Sequence, residues 1–253
     1  MRLTKRNYFS RKAQMEYMSV SQFKDFKACE EMALAKITGR YEPVKGIALY
    51  VGSYIDAHFE GTLDKFKAEN PEIFTKSGDL KSEYKKANEI ITRIERDELF
   101  MQLLSGRKQV IKTGEICGVP FKIKMDSYIP GRFIVDLKIV KDFEPLYKKD
   151  EGRLNFIEYW GYDLQGAAYQ HIEGNGLPFV IAAATKEPVT DIDAFEIPQA
   201  YLDVALDEIK ENIVRYQSIK MGLITPDRCG KCDWCKMTKK LEHIRAMEEL
   251  DYE

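Results

Sequence analysis

Residues 118–140 read GVPFKIKMDSYIPGRFIVDLKIV, and the fold turns on how this stretch is understood. Pro130-Gly131 is a turn signal between two apolar-rich arms, so the spacing predicts a β-hairpin. In the second arm Asp136 and Lys138 are two residues apart, which in an extended strand puts both side chains on one face and Val135, Leu137 and Ile139 on the other. Asp126 lies towards the end of the first arm. Two readings of this pattern stand at this point. One is an edge strand with a solvated face. The other is a pair of carboxylates offering hard oxygen ligands to a divalent cation, beside a lysine that orients water or offsets developing charge.

Outward from the hairpin, residues 109–140 read as two or three strands, with Glu115 on the strand before the hairpin as an additional candidate for supporting a metal or a phosphate. PFVIAAATKEP (178–188) is a continuous apolar run of strand length, and DIDAFEIP (191–198) is a further strand. Between them and the hairpin, residues 143–156 read as a polar loop and IEYWGYDLQGAAYQHIEG (157–174) as one helix. Its Tyr162, Gln165 and Tyr169 recur at helical spacing on one face. Upstream, SVSQFKDFKACEEMALAKITG (19–39) predicts one helix capped by Ser19 or Ser21 and ended by Gly39. ALYVGSYIDAHFEGTLDKF (48–66) predicts a second, carrying His58, and residues 70–106 a helical connection. Pro198 opens a long amphipathic helix. Strands and helices in this order imply an α/β class, a mixed sheet flanked by helices.

With 39 basic and 41 acidic residues the formal charge is −2, so nucleic-acid contact, if any, rests on local patches. One such patch is residues 1–17, where Arg2, Lys5, Arg6, Arg11 and Lys12 form a basic arm interleaved with Tyr8 and Phe9; a solvated terminus is the alternative. No apolar run reaches bilayer length and no signal-peptide core is present, which predicts a cytoplasmic protein without membrane contact. No linker or repeat divides the chain, so one domain over residues 1–253 is expected.

Five cysteines in a reducing compartment point to metal ligation or plain thiols rather than a disulfide framework. Cys229, Cys232 and Cys235 form CxxCxxC in the tail after residue 222. That spacing copies the first three ligands of a ferredoxin-type cluster; a four-cysteine zinc site is the alternative, although zinc sites more often use two separated CxxC pairs. Cys117 reads as a leftover thiol, small and buried.

Five stretches in order, EYMSVSQFKDFKACE, VGSYIDAHFEG, KMDSYIPGRFIVDLK, GYDLQGAAYQ and RCGKCDWCKMTKKL, resemble the RecB-like branch of the PD-(D/E)XK nuclease superfamily, and within it the RecE-like exodeoxyribonucleases of phages and prophages. The resemblance implies a restriction-endonuclease-like core with a cysteine-clipped helical periphery. It implies Mg2+ or Mn2+ held by His58, Asp126, Asp136 and the backbone carbonyl of Leu137, with Lys138 positioning or activating water. Gln165 and Tyr169 match the Q-x-x-x-Y signature that holds the DNA backbone or the active-site lysine. Cys29 becomes the fourth ligand, with Cys229, Cys232 and Cys235, of a 4Fe-4S cluster or of Zn2+. The implied activity is 5′→3′ degradation of linear double-stranded DNA in a bacterial host, leaving 3′ strands for a RecT-like annealing protein, by a homo-oligomer. Nucleases of the CRISPR-adaptation or AddB type share the cysteine clip with different polarity. A metal-stabilised DNA-binding module without catalysis is the alternative of another class.

Overall fold

The structure is a computed structural model and describes residues 1–247 other than 45, 150, 242 and 245. Residues 248–253, at the end of the tail, lie outside it. A five-stranded sheet runs in the order β1-β2-β3-β6-β7. Its strands are β1 (Arg107–Ile116), β2 (Val119–Ile129), β3 (Phe133–Val140), β6 (Phe179–Thr185) and β7 (Ile192–Glu196). β3 and β6 are parallel along their whole length; the other neighbours are antiparallel, so the sheet is mixed as expected.

Alternation along the central strands separates two apolar clusters. Ile134, Phe179, Ile181 and Ala183 belong to one, with helices α2 (Val20–Ala28), α9 (Tyr162–Glu173) and α10 (Gln199–Lys220). Val135, Leu137, Val180, Ala182 and Ala184 belong to the other, with α4 (Ile47–Phe59) and α6 (Ser82–Glu95). The smaller elements are α1 (Arg11–Glu16), α3 (Glu30–Thr38), α5 (Leu63–Glu69), a short 3-10 turn at Pro71–Ile73, α7 (Glu98–Leu103), α8 (Phe156–Tyr159) and α11 (Asp233–Met237).

Several elements depart from the sequence expectation. The helix expected over 19–39 is two helices, because Cys29 is extended (φ −169°, ψ 113°) and serves as the end of α2 and the start of α3. The helix expected over 157–174 breaks at Gly161, whose φ of 63° no continuing helix accepts. Residues 143–156 are not a plain loop: β4 (Leu146–Lys148) pairs with β5 (Gly152–Leu154). Cys117 is exposed rather than buried. With Gly118 it forms the two-residue turn joining β1 to β2, at φ 51° and 73°, the positive pair that such a turn requires.

The basic arm is not a loose terminus. Tyr8 and Ala13 are buried, and Met18 lies beside Phe121 of β2, its amide donating to Pro120 O at 2.7 Å. Met18 has room there because β2 and β3 pair only from Ser127↔Val135 to Ile129↔Phe133. Towards its N-terminal end β2 leaves β3, and the cleft so opened begins at Asp126.

Candidate active site and cysteine clip

Asp126 sits where β2 lets go of both neighbours. The β1–β2 register runs through Lys108↔Ser127 and resumes at Val110↔Met125, skipping Gln109 and Asp126. Gln109 is twisted to φ 54° and its Nε2 donates to Asp126 Oδ1 at 3.0 Å. From β3, the Leu137 amide donates to Asp126 Oδ2 at 3.3 Å. The carboxylate thus fills the gap where ladder hydrogen bonds are missing.

Asp136, 2 % exposed, enters the same gap from β3. Its Oδ1 accepts from Gln165 Nε2 on α9 at 2.6 Å, and its Oδ2 is buried, facing the Lys138 ammonium but taking no hydrogen bond. Helix α9 can deliver Gln165 because the next residue is Gly166: a Cβ there would lie 2.7 Å from Phe179 and 2.8 Å from Leu202. Tyr169, one turn on, donates to the Lys124 carbonyl of β2 at 2.9 Å. Gln165 and Tyr169 therefore hold the acid and the splayed strand rather than Lys138. The Lys138 ammonium stands 5.0 Å from the centre of the Tyr162 ring.

Across the sheet, α4 supplies acids that sequence reasoning missed. Asp56 and Glu60 line a small void, about 10 Å3, with Asp126, Gln109, Lys108 and Leu137. His58, expected as a metal ligand, is not brought there. Its Nε2 is 2.8 Å from Glu95 Oε1 on α6. Positions two apart on a helix differ by about 200°, so a helix that turns Asp56 to the cleft turns His58 away. The readable signal was the i, i+4 pair Asp56 and Glu60 beside the fully buried Ile55. Glu115 also stays apart: it is exposed, at the far end of β1 opposite Pro120.

The electrostatics of this cluster are those of crowded anions. Burial, then Asp136 and Asp56, hold the Asp126 carboxyl well above its ordinary range. Burial pushes Asp56 up to about 7, with Lys138 pulling the other way. Burial also pulls the Lys138 ammonium down, but Asp136 and Asp126 outweigh it and keep it firmly charged. Asp56, Glu60, Asp126 and Asp136 around Lys108 and Lys138 leave acids in excess, a set of hard oxygens that suits a divalent cation. The residues present therefore fit such an ion.

The second cluster joins the chain's two ends. The sulfurs of Cys29, Cys229, Cys232 and Cys235 all lie within 4.8 Å of one another, with Cys29 and Cys235 at 3.6 Å. The amides of Cys232 and Cys235 donate to the sulfurs of Cys229 and Cys232 at 3.3 and 3.4 Å. Around them, Arg215 of α10 grips Glu30 through two bonds of 2.7 and 2.8 Å, and Glu30 also accepts from the Asp227 amide. The break at Cys29 is what aims its thiol at this loop. No disulfide links the four, which suits metal ligation.

Residues 19–238 match the family described as a PDDEXK-like domain of unknown function, and the chain belongs to it. A crystal structure of a protein from Eubacterium rectale, described as "Putative exonuclease", is similar over 100 % of this chain and 99 % of its own, at 49 % identity and a TM-score of 0.95. No curated protein matches. Among the described residues no helix is long and apolar enough to cross a membrane.

Proposed function

We propose that the protein is a metal-dependent exodeoxyribonuclease that degrades linear duplex DNA from its ends, 5′→3′, leaving 3′ strands for a strand-annealing partner. The observation that carries the nuclease reading is the set Asp126, Asp136 and Lys138 at the point where two strands part, with the buried Asp136 Oδ2 paired with the Lys138 ammonium. The description of the Eubacterium rectale protein supports action as an exonuclease. DNA as substrate and the polarity rest on the resemblance to RecE-like enzymes.

Asp126, Asp136 and Asp56 would hold Mg2+ or Mn2+, with the Leu137 carbonyl as a further oxygen. When bound, such an ion supplies positive charge to the phosphoryl oxygen and a water acidic enough to ionise near neutral pH. Gln165 fixes the rotamer of Asp136 by holding its Oδ1, which leaves Oδ2 to the Lys138 ammonium. Lys138, held charged, places an ammonium where the phosphorane accumulates negative charge and hydrogen-bonds the attacking water. Tyr169 and Gln109 keep β2 bent so that the two strands do not close over the acids.

The four thiols fit a single tetrahedral ion. Zinc–sulfur bonds of about 2.3 Å put sulfurs roughly 3.8 Å apart; here Cys235 Sγ stands 3.6 Å from Cys29 Sγ and 4.0 Å from Cys229 Sγ, and all four lie within 4.8 Å of one another. A four-iron cube spreads its thiolates wider, so Zn2+ is the better supported occupant.

The test is incubation of purified protein with 5′- and 3′-labelled linear duplex and with covalently closed circles, with and without Mg2+. Release of 5′ label as short products from linear DNA alone, in Mg2+ alone, is expected. Equal loss of duplex by wild type and by Asp136→Asn with Lys138→Met would sink the nuclease reading; release from 3′ ends would sink the polarity.

A further inference from the structure

Gln165 and Tyr169 grip Asp136 and β2, which leaves the third residue on their face of α9, Tyr162, without a role. Lys138, for its part, is weakly held. Among the described residues its one ion pair is with Asp136. Its side chain is a flexible four-carbon stem, so a single contact at the tip lets the ammonium swing about that point. A second contact, from a different element, fixes it. The ring of Tyr162 is that contact: the Lys138 ammonium stands over it, 5.0 Å from its centre.

The ring is itself anchored from two other sides. Phe156 of α8 packs on it edge to face, centres 6.3 Å apart and planes at 73°. Lys24 of α2 also stands over the ring, 5.6 Å from its centre, and donates to the Trp160 carbonyl at 2.9 Å. Gly161 lets it do so. A Cβ there would lie 3.1 Å from Lys24 Cδ and 3.3 Å from Leu164 Cδ1, tighter than ordinary contact, so the lysine stem runs directly against the backbone of the turn. The left-handed turn at Gly161 therefore does more than end α8. It starts α9 at Tyr162 with the ring between two ammoniums. These are close enough that Lys138 adds to burial in pulling Lys24 below its ordinary range. Two cations near one ring repel each other, and the electron-rich face of the ring offsets that repulsion.

An aromatic face also differs from a carboxylate in what it competes with. Asp136 is both the counter-charge of Lys138 and a ligand offered to a divalent ion, and a cation bound there draws on the same negative charge. The ring presents no hard oxygen to such an ion. Its hold on the ammonium is independent of whether the acids are occupied.

We infer that Tyr162 is the positioning residue of Lys138: its ring holds the ammonium towards the acids, and Phe156 and Lys24 fix the ring. What the held lysine does in catalysis rests on the nuclease reading, whereas the contact itself does not.

The test reads position and rate separately. In the full-length protein labelled with 13C at lysine Cε, the Lys138 signal is identified by its loss in Lys138→Met. Protons over an aromatic face are shifted upfield. The Lys138 signal is therefore expected upfield of the exposed lysines in wild type and in Tyr162→Phe, to stay there when Mg2+ is added, and to join the exposed lysines in Tyr162→Leu. An unshifted signal in wild type, or one that Mg2+ releases, overturns the inference without any change at Tyr162 having to fold. The same upfield shift in Tyr162→Leu overturns it too. These spectra decide the contact even if the protein cuts no DNA. In cleavage, Tyr162→Leu is expected to lower kcat about tenfold with KM within about twofold of wild type, the cost of one partly buried cation–ring contact, and Tyr162→Phe to keep at least about half of the wild-type kcat. A kcat unchanged in Tyr162→Leu, or equally low in Tyr162→Phe, overturns the positioning role.

Discussion

Gln165 Nε2 donates to Asp136 Oδ1 across 2.6 Å, and this one bond ties a helix on one face of the sheet to an acid buried in its middle. The other oxygen of Asp136 is thereby left to the Lys138 ammonium. Gln165 acts through Asp136, as a positioning residue. Replacing it by Leu is expected to lower cleavage about 10–100-fold, the usual cost of removing a residue that orients a metal ligand. Rates measured across Mg2+ concentrations check this: a higher Mg2+ requirement is expected, whereas a lowered rate with unchanged Mg2+ dependence would show that Gln165 does something else.

Asp56 and His58 give a paired prediction. Asp56→Asn removes a carboxylate from the void shared with Asp126 and should cut the rate at least about tenfold. His58→Ala removes only a half-exposed contact with Glu95 and should change stability by less than about 1 kcal/mol and leave cleavage intact. A loss of cleavage in His58→Ala would place the histidine back at the metal.

The contrast between these residues shows what the sequence can carry. Period-two alternation and a Pro-Gly turn made the hairpin, its partner strands and the shared face of Asp136 and Lys138 readable before any coordinates. The spacing of Gln165 and Tyr169 was readable too, though not what they grip. Rotation of α4 about its axis was not, because its apolar residues are spread widely enough that either Asp56 or His58 could turn inward. The break at Cys29 was equally hidden: the residues around it favour helix, and only the demand that its thiol reach Cys235, 206 positions away, makes the extended backbone worthwhile. Asp126 as a gap in two ladders at once depends on Gln109, a residue with no local signal for positive φ.

Glu173 yields a pH prediction away from the site. Its side chain, fully covered, accepts from Tyr128 at 2.7 Å, Lys112 at 3.0 Å and Asn175 at 2.9 Å. Burial alone would raise the carboxyl, but these donors outweigh it and hold it down to about 2. The unfolded value is about 4.3. The stabilisation is therefore complete above that pH and is lost as pH falls through the folded value. It amounts to about 3 kcal/mol at neutral pH and about half of that at pH 3. Urea unfolding of wild type and Glu173→Gln should show a gap of this order at pH 7 that closes towards pH 2. A gap independent of pH would mean that lost packing, not charge, is responsible.

The cysteine clip predicts a stability that depends on metal. Cys29 and the loop carrying Cys229 to Cys235 close a loop spanning most of the chain, and one shared ion does the work of a cross-link. In the chain-entropy account a closure of that length contributes about 5 kcal/mol. Cys29→Ser should therefore lower the Tm by roughly 10 °C or more, and a strong chelator should do the same to wild type but add little in the variant. Because the sulfurs stand at single-ion spacing, the protein purified without oxygen is expected to be colourless with one zinc per chain. Broad visible absorption with about four irons per chain would overturn that choice of metal and leave the clip intact. An unchanged Tm in Cys29→Ser would show instead that the Arg215–Glu30 pair and its bond to Asp227 hold the two ends together without any ion.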